Sequence, residues 1–174
     1  MVVFPVQIYI FLALTPDSAP EVHSVKESFT NAAAELRRAE HLLYVSLKYT
    51  RTVDVIKNVI ERLISTFEFA IDSLLIHAKE QKRIEELPAY PRVKITTLET
   101  LYATDPLILD GLSFLTTLKK ISKARFDRAQ EYRRHVTMTA HLDNQTIEVT
   151  IDLISEYYAK TETFLKHVLQ IIKQ

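Results

Sequence analysis

Residues 53–78 read VDVIKNVIERLISTFEFAIDSLLIHA, in which Ile56, Ile60, Leu63, Phe67, Ala70, Leu74 and Ala78 recur at spacings of three and four. That period makes one face of an α-helix apolar over about seven turns. So long a stripe cannot be buried by its own helix and demands partners of the same kind. The charged run Lys79–Glu86 closes the helix, and Pro88 and Pro91 lie beyond its end.

Partners are predicted on both sides. Upstream, Ser24-Val25-Lys26-Glu27 is a capping box, after which Val25, Phe29, Ala32, Leu36, Ala39 and Leu43 continue at helical spacing to about Tyr49. The β-branched run Tyr49–Val53 marks a reversal, with Thr52 as a cap before Asp54. Downstream, Thr96-Thr97-Leu98-Glu99 predicts a short helix inside the connection from Leu87 to Thr104. Asp105-Pro106 then starts a third long helix, expected to reach about Val136, in which Gly111 permits close helix contact. His141–Thr146 (HLDNQT) reads as a turn, and Ile147, Ile151, Ile154, Tyr158, Leu165, Val168 and Ile172 form the last stripe, interrupted only by Thr161. The predicted class is all-α: an up-and-down four-helix bundle over residues 21–174, with a short extra helix between helices two and three.

Residues 1–20 are read as an apolar arm or tail. Met1–Leu14 is shorter than the roughly 20 residues of a membrane span, and Pro5 interrupts it. No Lys or Arg precedes Lys26 to supply the basic region of a signal peptide, so no membrane association and a cytoplasmic location are expected.

Composition removes several function classes. The 174 residues hold 22 Lys and Arg against 22 Asp and Glu, so any attraction for an anionic partner must be local. A single glycine excludes phosphate-cradling loops and the nucleophile elbow, which need several positions free of Cβ. The absence of cysteine excludes thiolate metal sites, disulfides and a cysteine nucleophile. No Glu-x-x-His or His-Glu-x-x-His occurs, and His23, His41, His77 and His167 are scattered singly, so neither metal nor cofactor is expected. The tyrosine pairs Tyr44/Tyr49 and Tyr157/Tyr158 read as bundle-edge packing.

One segment stands apart. Lys119, Lys120, Lys123, Arg125, Arg128, Arg133 and Arg134 face only Asp127 and Glu131 between residues 119 and 134, a local excess a phosphate-bearing partner would feel. Lys119, Lys120, Lys123, Arg128 and Arg133 are the candidate nucleic-acid contacts. Directly after them, Arg134 and His141 are seven residues apart, which on a continuous helix is about 20° in azimuth and about 10.5 Å along the axis. A guanidinium can hold phosphate oxygens while an imidazole moves a proton to or from a ribose oxygen, which suffices for RNA cleavage without a metal. The intervening Val136-Thr137-Met138-Thr139 has weak helix propensity.

Two helix pairs with Arg134-x6-His141 between the third and last helices resemble the HEPN superfamily (higher eukaryotes and prokaryotes nucleotide-binding domain), over about Ser24 to Lys173. The resemblance implies a metal-independent endoribonuclease or toxin component with its site between two facing protomers, or a non-cleaving relative that binds RNA or nucleotide. Arg134 would then clamp phosphate, His141 act as general acid or base, and His135 orient. A homodimer and a protein partner such as an antitoxin are expected on the same ground. The alternative is a non-catalytic helical interaction or dimerisation module, motivated by the heptad-like stripes.

Overall fold

The computed structural model describes residues 24–173; the predicted arm at residues 1–20 lies outside them. Helix α1 (Val25–His41) passes through a π-helical turn (Leu42–Ser46) into the single turn α2 (Leu47–Tyr49), and α3 (Val53–Glu80) returns. After α4 (Pro91–Leu101) and α5 (Pro106–Lys123), three strands follow, β1 (Arg125–Ala129), β2 (Thr137–Leu142) and β3 (Gln145–Val149), before α6 (Ile151–Ile172). The chain is mostly helical, as its stripes predict, but it also carries an antiparallel sheet in the order β1-β2-β3.

Every stripe residue of α3, from Ile56 to Ala78, is fully buried. Each large one contributes about 1.5–3 kcal/mol by leaving water. Helix α1 packs along α3, α6 packs against both, and α5 covers α3 and α6. Helix starts follow their caps. Ser24 Oγ accepts the Glu27 N–H at 3.1 Å, and Asp105 accepts those of Leu107 and Ile108 at 3.1 and 3.2 Å. Asp105 also takes the His167 ring at 2.7 Å, which ties the start of α5 to α6. Burial pushes the Asp105 carboxyl up, but His167 and the two capping N–H groups outweigh it and hold the group below its ordinary range.

The expected third helix reaching Val136 is corrected: it ends at Lys123, where Ala124 turns extended. Beyond Ile121 no apolar stripe remains at helical spacing, whereas Phe126, Met138, Ala140, Ile147 and Val149 alternate and cover the core as one sheet face. Leu142 pairs with Gln145, so the predicted turn shrinks to Asp143-Asn144 and the last helix starts at Ile151 rather than Ile147. The extra helix is present but begins at Pro91, in the first-turn position that tolerates proline.

Gly111 lets α6 approach α5, since a Cβ there would overlap the Phe164 ring. Gly111→Ala should therefore lower stability by about 1–3 kcal/mol despite alanine's better helix propensity. Urea denaturation checks this, with Phe164→Leu recovering part of the loss in the double variant. A stabilised Gly111→Ala protein would contradict the contact.

Candidate nucleic-acid interface

Where β1 ends, the chain must reverse into β2 without a glycine, and two residues enter the left-handed region to do it: Gln130 at φ 56° and Tyr132 at φ 62°. Such conformations cost about 1–3 kcal/mol each and persist only where the surroundings over-determine them. Here the surroundings are the amino-terminal end of α3. Arg128 Nη1 and Nη2 donate to both oxygens of Asp54 at 2.9 and 2.8 Å. Glu131 Oε1 accepts the Val53 N–H at 3.1 Å, and the Tyr132 N–H donates to the Arg51 carbonyl at 2.6 Å. Thr52, expected as the cap of α3, makes no capping hydrogen bond through its side chain; Glu131 supplies the acceptor from the loop instead.

The dock creates a cleft of about 450 Å³. One wall is the reversal between α1 and α3, with Tyr44, Lys48 and Arg51. The other is the β1–β2 loop, with Arg134, His135 and Thr137, and the start of α6 closes the end with Asp152. Three permanent cations thus face one carboxylate, and none of the three forms an ion pair among the described residues. Tyr49 and Tyr132 do not line the cleft; Tyr49 follows Lys48 in the chain, Tyr132 is joined to Arg51 through its backbone N–H, and the two are 79% and 77% exposed. Tyr44 is half-exposed and meets the buried Tyr158 edge-on at 5.9 Å. Burial, then Glu40 and Glu162, push the Tyr158 phenol up to about 12, so it stays protonated.

Arg134 and His135 therefore reach the cleft, with Arg133 exposed next to them. His141 does not. It sits on β2 four residues past Thr137, about 13 Å along the strand. Its Nε2 is 2.7 Å from Asp127 Oδ2, and its cross-strand neighbour is Arg125. The continuous helix that would align Arg134 with His141 is absent, and His141 is not among the residues that line the cleft with Arg134. Among the candidate nucleic-acid contacts, Lys119 is bound to Glu68 at 2.8 Å and Arg128 is committed to Asp54. Lys120 and Lys123 line a separate groove beside α4.

Sequence reading missed Lys48, Arg51 and Tyr132. The available signal was two short runs that place tyrosine beside basic residues, Lys48-Tyr49-Thr50-Arg51 and Tyr132-Arg133-Arg134-His135. Among the described residues no three His, Asp or Glu gather as a metal site, and no helix is long and apolar enough to cross a membrane. The chain matches no family model, no curated protein and no solved structure.

The dock should depend on pH. Hydrogen bonding from Arg128, and to a lesser degree the charges of Arg128 and Lys57, outweigh desolvation and hold the Asp54 carboxyl below its ordinary range. A depressed carboxylate stabilises the folded arrangement above its unfolded-state pKa, and that contribution is lost as pH falls through the lower folded-state value. Amide exchange protection at Tyr132 and Val53, corrected for intrinsic rates, should fall below about pH 4. Arg128→Gln should bring it to that level at neutral pH, with the middle of α3 unchanged. Equal protection in both proteins would refute the dock.

Proposed function

We propose that this protein is a HEPN-like helical domain that binds single-stranded RNA or nucleotide through the cleft between the α1–α3 reversal and the β1–β2 loop. In this reading α1, α3, α5 and α6 form an up-and-down four-helix bundle, α4 is its extra helix, and the sheet is set between its last two members. The observation that carries it is the gathering of Lys48, Arg51, Arg134 and His135 in one cleft that Tyr44 also lines, with Tyr49 and Tyr132 exposed on the same two chain segments. Cations that track a backbone, alternating with rings on which bases stack, are what sequence-tolerant single-strand binding requires. Loop residues already fixed against α3 lose little freedom when they bind.

Binding is favoured over cleavage because His141, the expected acid–base group, is held by Asp127 away from Arg134. An endoribonuclease or toxin role would need a different proton carrier near the cleft. The dimerisation alternative draws on exposed Tyr44, Val45, Tyr49 and Tyr132, which a second copy could cover. In that case light scattering would show a dimer that RNA dissociates.

Fluorescence anisotropy with a short single-stranded RNA tests the proposal. Arg51→Ala and Arg134→Ala should each weaken binding about fivefold or more and reduce the salt slope by about 0.7. Tyr132→Ala should cost about 1–3 kcal/mol of binding, and Lys120→Ala should change nothing. With chelator present, wild-type and His141→Ala proteins should leave the RNA equally intact. Equal affinity in all variants would defeat the binding reading, and cleavage abolished by His141→Ala would restore the catalytic one.

A further inference from the structure

A second gathering of guanidinium groups lies between α1 and α3, on residues the cleft does not use. Arg37, Arg38 and His41 of α1 face Asn58 and Arg62 of α3 across an open groove of about 520 Å³. Beneath it Glu35 is only 5% exposed, and its two oxygens are held by different arginines: Oε1 by Arg38, and Oε2 by Arg62 at 3.1 Å.

A buried carboxylate is costly to desolvate, and one guanidinium is enough to balance its charge. Here it has two, and Arg37 has no acidic partner among the described residues. Three positive side chains over one negative leave a surplus of two before His41 is counted, in a chain whose net charge is zero. Because Glu35 engages Arg38 and Arg62 through opposite oxygens, it sets their separation while both side chains stay solvent-accessible, 62% and 45% exposed. Their remaining N–H donors are thus positioned in advance, which is the condition for forked recognition of an oxyanion. A staple between two helices would need only one of these arginines. The groove also ends on Leu42, the first residue of the π-helical turn, and such turns are frequent at functional sites.

We propose that this groove binds a phosphate monoester, with Arg37, Arg38 and Arg62 as its ligands and Glu35 as the residue that positions two of them. A monoester carries a charge of about −1.5 to −2 at neutral pH and three terminal oxygens, which matches the surplus and the number of guanidinium groups. The proposal is independent of the RNA reading, since the two sites share no side chain.

The test is thermal denaturation of the full chain titrated with inorganic phosphate, against chloride at matched ionic strength. Wild-type protein should show a saturable rise in Tm. Arg37→Gln, which leaves the contacts of Glu35 with Arg38 and Arg62 intact, should weaken the apparent affinity about tenfold, as should Arg62→Gln where it folds, while Lys166→Gln, on the exposed face of α6, should leave it unchanged. A rise that Arg37→Gln leaves unaltered, or that chloride reproduces, would overturn the site. The same RNA with a 5′-phosphate and with a 5′-hydroxyl then separates the sources. Tighter binding of the phosphorylated form, lost in Arg37→Gln, supports the site and assigns it to an RNA end. Equal binding beside a saturable response to phosphate supports the site and assigns it to a free monoester.

Discussion

The forked ion pair between Arg128 and Asp54, with the contacts of Glu131 and Tyr132 beside it, holds the β1–β2 loop against the amino-terminal end of α3. Chain leaving α5 at Lys123 has no apolar stripe to carry it onward as a helix. It runs instead as a strand whose inner residues, Phe126 and Arg128, meet the amino-terminal end of α3. With the guanidinium fixed, Glu131 reaches the Val53 N–H and Tyr132 the Arg51 carbonyl, and the left-handed Gln130 and Tyr132 become sustainable. The same contacts deliver Arg134 and His135 to Lys48 and Arg51, so the cleft is a consequence of the dock.

Charge is distributed with a corresponding logic. Lys94, Lys119, Lys160 and Lys166 each hold a carboxylate on their own or a neighbouring helix, and such exposed pairs add little stability. Of the remaining cations, Arg92, Lys120 and Lys123 line the groove beside α4, while Lys48, Arg51 and Arg134 meet in the loop cleft and Arg37 joins Arg38 and Arg62 in the groove over Glu35. The π-helical turn adjoins both, with Leu42 lining the groove and Tyr44 the cleft. A chain of zero net charge can in this way present separate anion-attracting surfaces without a global field.

Long helices were legible in the sequence because burial along a stripe has a period that residue types reveal directly. The stripes of α1, α3 and α6, the caps at Ser24 and Asp105, and the close approach at Gly111 all follow from such local rules. The hairpin did not, since its strands are five or six residues long and Ile147 fits a helical stripe extended back from Ile151 as readily as a strand. Thr137, Thr139, Ile147 and Val149 carry the β-branched signal, and it is weak because the packing of Met138 and Ala140 on the core decides the outcome. The candidate site inherits that failure. Arg134 and His135 lie where a phosphate could meet them, but His141 was placed by a helical register that does not exist. Lys48 and Arg51 join the site through a contact between residues 51 and 132, which no local pattern encodes.

The central claim is that the docked loop and the α1–α3 reversal form one RNA-contacting surface. Photo-crosslinking of 4-thiouridine-substituted single-stranded RNA, followed by mass-spectrometric mapping, tests it most directly. Cross-links on peptides containing Tyr49 and Tyr132, lost together in Arg128→Gln, are the result this account predicts. Cross-links confined to the Lys120 and Lys123 face of α5, or unchanged by Arg128→Gln, would contradict it.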